Sequence, residues 1–326
     1  MRIAVSGSIA TDHLMTFPGR FTDQLIPDQL AHISLSFLVD DLEVRRGGVA
    51  ANIAYGLGRL GLPPLLVGSV GLDFGPYEAW LKEHGVDTSA VRVSDTARTA
   101  RFVCLTDQDS NQIAAFYAGA MSEAREIDLA AATAQDRPDL VLVCANDPAA
   151  MLRHTRQARE LGVPFAADPS QQLARLTGEE ATELVDGATW LFTNEYEAAL
   201  LAERVGRTHE DILERVGTWV TTLGERGARI ERAGESVLVV PAVPCGHVSD
   251  PTGAGDGFRA GFLAAVAAGL PSVAAGRLGC AVAASVLDTV GPQGYAADPD
   301  LLAARVHDVY GAAAAEDLRP AFGRHA

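Results

Sequence analysis

Asp250-Pro251-Thr252-Gly253-Ala254-Gly255-Asp256 stands directly before a stretch in which Phe258, Phe262 and Val266 recur with helical spacing. Three small residues at a helix start let backbone come close to a ligand, and the first-turn amides lack intrahelical acceptors. The helix dipole adds positive potential at the same place. Gly253, Ala254, Gly255 and Asp256 therefore predict an anion hole for a phosphoryl group in transfer, with the Asp256 carboxylate placed to take the proton of an attacking hydroxyl. A Gly-x-Gly-Asp alone also serves to pack a helix start and complement its dipole; the length of this run sets it apart.

Outward from that helix, short apolar runs alternate with helical patterns. Strands are predicted at Ile3–Ser6, Leu65–Ser69, Leu140–Cys144, Phe165–Ala167, Trp190–Thr193 and Val220–Leu223. Helices are predicted at Val49–Leu60, Tyr77–His84, Ala149–Leu161, Glu179–Val185, Tyr196–Val205, Gly255–Ala268 and Val273–Leu287, with Thr177 and Glu180 as a capping box. Apolar strands separated by helices imply an α/β fold, a mostly parallel sheet with helices on both faces. Ser34–Arg45 and Thr99–Tyr117 instead alternate polar and apolar residues, the second with a turn at Asp107–Asn111. A small β lid is expected, its strands within about 8–17, 33–46 and 98–118. Such a sheet is too thin to stand alone, so it must cover a ligand or pair with a second subunit. No linker or repeat divides the chain, so residues 1–326 read as one domain, frayed after about Glu316.

Composition narrows the chemistry. A formal charge of −16 over 326 residues disfavours nucleic acid and anionic membrane as partners. The single lysine, Lys82, lies in Trp80-Leu81-Lys82-Glu83-His84, a surface helix end, which excludes a P-loop and a Schiff-base lysine. Any phosphoryl transfer must use backbone amides instead. Cys104, Cys144, Cys245 and Cys280 form no CxxC pair, and Met1–Val5 reads as a first strand; both fit a reducing cytoplasm. Ala260–Gly276 is uncharged but broken by Pro271, two buried helices and not a membrane span.

The full run Asp250–Asp256 resembles the signature of the PfkB carbohydrate kinases, whose fold is ribokinase-like. Four other segments follow the order of that family. Gly47-Gly48-Val49-Ala50-Ala51-Asn52 resembles its N-terminal Gly-Gly motif, in which glycine lets the sugar approach and Asn52 would bond its hydroxyls. Gly7–Asp12 resembles the end of its first strand, with Asp12 on two ribose hydroxyls. Asn194-Glu195-Tyr196-Glu197 is similar to its Asn-x-x-Glu motif, where Glu197 would act on magnesium through water. Thr222-Leu223-Gly224-Glu225-Arg226-Gly227 resembles its turn over the nucleotide phosphates, with Asn194, Thr222, Gly224 and Gly227 on ATP. Asp250 and Thr252 resemble a monovalent-cation loop, which would hold potassium.

Within the family the greatest likeness is to adenosine kinases of the actinobacterial type, through Gly7–His13, Leu35–Leu42, Thr99–Phe102, Gly119–Arg125 and Ala167–Leu176. That likeness implies magnesium-ATP-dependent phosphorylation of the adenosine 5′-hydroxyl to AMP, a purine-salvage step, by a homodimer joined through its lids. Ser8, Asp12, Ser36, Gly48, Asn52, Phe102, Phe116, Gln171, Gln172 and Arg175 would contact the acceptor or the transferring phosphate.

The residue types also fit that reading on their own, with alternatives open. Phe102 and Phe116 can stack on a purine or pack within the lid or dimer, and Gln171 and Gln172 can meet base edges or sit in a surface loop. Asp12 can be a turn former, Asn52 a partner of nearby backbone, and Glu197 and Arg175 solvated charges. Asp250 can equally be an N-terminal turn residue. Ribokinase or another PfkB sugar kinase is the nearest rival. A catalytically silent nucleoside-binding protein is the rival from another class, and it would need neither Asp256 nor Glu197.

Overall fold

The computed structural model describes residues 1–26, 32, 34–246, 248 and 250–322. Its larger sheet takes β1 (Ile3–Ser6), β4 (Leu65–Gly71), β5 (Val91–Ser94), β8 (Leu140–Cys144), β9 (Phe165–Asp168), β10 (Trp190–Asn194), β11 (Thr218–Thr222), β12 (Ala228–Glu231) and β13 (Leu238–Val240). The spatial order is β13-β12-β11-β10-β9-β8-β1-β4-β5. Every pairing is parallel except β11 with β12 and β12 with β13.

The apolar runs alternate between two cores because successive strand side chains face opposite ways. Ile3, Val5, Leu140, Leu142 and Cys144 pack under the helices Val49–Arg59, Ala254–Ala267 and Ser272–Leu287. Ala4, Val141, Val143, Phe165 and Trp219 pack under Pro148–Glu160, Gly178–Val185 and Glu195–Val205. Small residues let the helices close in: a Cβ on Gly56 would meet that of Ala260 at 2.5 Å. The six strands predicted for this sheet and the seven predicted helices agree with the structure to within about two residues, while β5, β12 and β13 add to them, and the Thr177–Glu180 capping box is formed. Among the described residues no helix is long and apolar enough to cross a membrane.

The smaller sheet contains β2 (Ala10–Thr16), β3 (Asp41–Gly47), β6 (Ala100–Thr106) and β7 (Gln112–Tyr117), in the order β3-β2-β6-β7. The 107–111 turn is held by the Asp107 carboxylate, which accepts from the Asp109 and Asn111 amides at 3.0 and 2.8 Å. The strand expected over Ser34–Arg45 begins only at Asp41. Alternation misleads here because Phe37 turns into an aromatic cluster with Phe17 and Phe21, at 5.0 and 5.1 Å between ring centres, while its neighbours stay exposed. Residue 33 of that expected lid strand lies outside the described residues. The tail after Glu316 does not fray as expected through Phe322: Leu318 and Ala321 are buried against the first core.

Candidate active site

The strand order runs from β1 toward β4 on one side and from β8 toward β11 on the other, so the chain reverses direction between β1 and β8. Open α/β sheets bind ligands at such a point, outside the carboxyl ends of the strands. Ser8 and Ala145, the residues just beyond β1 and β8, meet there, with the Ser8 amide donating to the Ala145 carbonyl at 3.0 Å.

Over this point, under the lid, lies a cleft of about 520 Å³. Ser8, Asp12, Gly48, Asn52, Phe102, Phe116, Gln171, Gln172, Arg175 and Asp256 line it, together with Ala10, Val49, Met121, Ala145 and Thr252. Ser36 does not; it is exposed, beside the anchored Phe37. A shallower depression lined by Gly178, Glu179, Thr182, Glu183, Val205 and Arg207 is open to solvent and gathers no comparable chemistry.

Lid register explains how distant residues converge. Asp12 on β2 pairs with Arg45 on β3 and with Phe102 on β6, and Phe102 pairs with Phe116 on β7. Directly paired residues share a face, so one row presents a guanidinium, a carboxylate and two aromatic rings. Burial pushes the Asp12 carboxyl up to about 6, with Arg45 opposing the rise.

Gly48 has φ +95°, and a Cβ there would lie 2.6–2.7 Å from the backbone of residues 8–10. Its bareness thus seats the helix start against the strand end, where the sequence suggested only access for a sugar. Ser8 completes the joint by accepting the Val49 amide at 3.0 Å. Gln172 is buried, and its Oε1 lacks a hydrogen-bond partner among the described residues. Such an orphan acceptor at a cleft is a place for a ligand N–H.

Gly253, at φ +82°, caps Ala254–Ala267. The Ala254 amide donates to the Pro251 carbonyl at 3.3 Å, but no acceptor among the described residues takes the Gly255 and Asp256 amides. Of the four residues expected to form an anion hole, Ala254 thus has its amide engaged within the turn, while the Gly255 and Asp256 amides are left to a ligand. Asp256 Oδ2 accepts from Asn52 Nδ2 at 2.8 Å. Burial raises the Asp256 carboxyl to about 7, against the lowering effects of Arg259 and the Asn52 hydrogen bond.

Four residues behind this centre escaped the sequence reading. Gln293 donates to Asn52 Oδ1 at 2.9 Å and accepts from Trp80 Nε1 at 3.1 Å. Arg259 donates to Asp168 Oδ1 at 2.7 Å with both side chains buried. Arg45 donates to Asp250 at 2.5 Å. Only Arg259 carried a signal, as the one charge in the apolar stretch Gly257–Ala268.

The expected cation and nucleotide residues divide. Asp250 already accepts from Arg45, the Thr252 amide and the Gly291 amide, so its carboxylate does not fit potassium without losing Arg45. Asn194 and Glu197 form a reciprocal capping box, each bond 2.8 Å, that leaves one Glu197 carboxylate oxygen with no hydrogen bond among the described residues. A carboxylate oxygen left free in this way fits magnesium held through water. Asn194 pairs with Thr222 across β10 and β11, which brings those motifs together. Gly227, at φ +95°, tolerates no side chain, because a Cβ would lie 2.0 Å from the Val240 carbonyl, and Gly224 has φ +60°. All four expected nucleotide residues thus stand at the carboxyl end of the sheet.

Residues 10–298 match the model of the pfkB family carbohydrate kinases. The chain belongs to the PfkB family. It is a phosphotransferase of the nucleoside kinase and ribokinase group, and it has the ribokinase-like α/β fold with a separate lid sheet. The solved nucleoside kinase of Burkholderia thailandensis in complex with inosine superposes with a TM-score of 0.83 at 35% identity, covering 95% of this chain and 98% of that one. The curated nucleoside kinase of Methanocaldococcus jannaschii is 32% identical over 249 residues, 76% of this chain and 80% of that protein. The ribokinase of Bacillus subtilis is 29% identical over 261 residues, 76% and 83% of the two chains. This PfkB kinase therefore uses ATP-type chemistry on a hydroxyl acceptor.

Proposed function

We propose that this PfkB kinase is an adenosine kinase, moving the γ-phosphoryl of ATP to the 5′-hydroxyl of adenosine to give AMP in purine salvage. The reading rests on the composition of one cleft. Asp12, Asn52 and Asp256 offer the polar groups a ribose requires, and Phe102, Phe116 and Gln172 offer the rings and the amide a purine requires. Ribose alone would leave the second half empty. The inosine complex of the Burkholderia thailandensis relative supports a purine nucleoside acceptor. Gln172 Oε1 suits the exocyclic amine of adenine, a donor.

In this mechanism the ribose lies on Asp12, Gly48 and Asn52 with its 5′-oxygen toward Asp256. Asp256 takes the hydroxyl proton as the oxygen attacks the γ-phosphorus, and ADP leaves as the γ-phosphate bond breaks. The free Gly255 and Asp256 amides hold the oxygens of the group in flight. Glu197 would hold magnesium through water, and the ion would supply neutralisation of the phosphate charge. Arg175, exposed at the cleft mouth, meets the phosphate when the lid closes and excludes water. Leu42, Val44, Ile113 and Tyr117 are exposed apolar residues of the lid strands, and they support a homodimer formed lid to lid.

Side-by-side phosphorylation of adenosine, inosine, ribose and fructose 6-phosphate tests the reading. Adenosine should give the highest kcat/KM. A preference for ribose or the phosphorylated sugar would sink it, and binding of adenosine without turnover would make the protein a silent nucleoside binder.

A further inference from the structure

The Arg259–Asp168 pair is the most enclosed ion pair among the described residues, with side chains 7% and 0% exposed. Burying two charges is expensive, and replacing such a pair with apolar residues is often neutral or stabilising. This one is not even fully satisfied: Asp168 Oδ2 and Arg259 Nε are buried without partners among the described residues. Its retention calls for a reason other than stability.

Its location supplies one. Asp168 ends β9, and Arg259 stands one turn into the helix that Gly253 opens. Arg259 Nη1 donates to the Gly255 carbonyl at 3.0 Å, so the guanidinium ties the anion-hole turn to the sheet. A Cβ on Gly255 would lie 2.9 Å from that same nitrogen. Asp256 is the next residue along.

We infer that Arg259, held by Asp168, is a positioning residue for phosphoryl transfer: it fixes the Gly255–Asp256 turn and sets its guanidinium as the counter-charge behind the Asp256 carboxylate. This rests on the assignment of Asp256 as base. The charges facing Asp256 come from every side. Asn52 bonds it from the helix Val49–Arg59, Asp168 and Glu197 repel its charge from β9 and the helix Glu195–Val205, and Arg259 attracts it along its own helix. Tyr77, Tyr295 and Cys144 are buried and held neutral, so they contribute no opposing charge. Arg259 is thus the one cation among these groups.

The test is the acid limb of the kcat/KM profile, which reports the base in the free enzyme. Arg259→Met should move that limb to higher pH by about one to two units, a size expected for loss of a nearby charge at an effective dielectric of about 20. Arg259→Lys should return it most of the way. The double variant Asp168→Leu with Arg259→Met, an apolar replacement of the kind cores accept, carries the test if the single variant does not fold, and its limb should also move upward. A purely structural role would lower kcat equally at all pH values, and an unmoved limb in the folded variant would overturn the inference. Asp256→Asn, measured alongside, separates the two claims. If it is inactive while Arg259→Met keeps the wild-type limb, only the role of Arg259 fails; if it stays active, the base assignment itself fails.

Discussion

Asn52 and Asp256, separated by 204 positions in the chain, are joined by a single 2.8 Å hydrogen bond from amide to carboxylate. That bond links the helix after the Gly-Gly motif to the helix after the anion hole, and behind it Gln293 and Trp80 extend the same line. Asn52 can spend one amide hydrogen on Asp256 and still offer the other to a ribose hydroxyl.

Gln293→Ala should therefore impair catalysis although Gln293 does not line the cleft. Truncation leaves Asn52 Oδ1 and the Trp80 indole N–H without partners, a loss of about 1–3 kcal/mol in stability. The expected kinetic signature is a lower kcat with a smaller change in nucleoside KM. Urea unfolding and steady-state kinetics on the same preparation check both.

Asp256→Asn should make the protein more stable at alkaline pH. The folded carboxyl is raised to about 7 and keeps its proton up to that pH, while an unfolded aspartate is charged from about 4 upward, so above about 7 the fold carries a buried charge at its full cost. The gain from substitution should be about 1–3 kcal/mol at pH 8 and fade toward pH 4, where both states hold the proton. Thermal unfolding across that range reads it directly.

His154 makes the opposite kind of prediction. It is fully buried, with Nδ1 2.7 Å from the Ser6 hydroxyl and Nε2 3.3 Å from the Ile127 carbonyl. A carbonyl only accepts, so Nε2 carries the proton and the Ser6 hydroxyl donates to Nδ1. Burial lowers the ring to about 4, so the neutral form is kept in the fold while the unfolded chain protonates near 6.5. The stability that the neutral ring contributes is complete above about 6.5 and is lost as pH falls toward 4. Relative to His154→Gln, the wild type should lose about 2 kcal/mol between pH 7.5 and 5. Paired urea titrations cancel the other titrating groups.

Arg45→Met should loosen the lid. Arg45 spans β3 and the loop that leads into the anion hole, and it supplies the counter-charge of Asp250. The variant should raise nucleoside KM more than it lowers kcat, and it should create a response to potassium at the freed Asp250 carboxylate. The wild type should turn over equally in sodium and potassium buffers. Kinetics in the two salts decide this.

The parts of the site that were legible in the sequence are local. The Asp250–Asp256 run, the Gly-Gly pair and the Asn194–Glu197 cap each fit within one strand end or helix start, where neighbouring residues fix each other's geometry. Strand parity did the same for the lid, since Asp12, Phe102 and Phe116 fall in one row once the pairing is known. What stayed hidden depends on distant contacts. Gln293 reaches Asn52 across 241 positions and Arg45 reaches Asp250 across 205, and no local pattern announces either. The misplaced strand at Ser34 has a different cause: a period of two is also produced by a loop that anchors one aromatic ring, here Phe37, and leaves its neighbours in water.

The most direct trial is a single-turnover experiment with Asp256→Asn, saturating ATP and adenosine, paired with calorimetric binding of adenosine. Proton acceptance by Asp256 predicts a rate lower by roughly 10²–10⁴ with nucleoside affinity nearly unchanged. Phosphoryl transfer at the wild-type rate would contradict it.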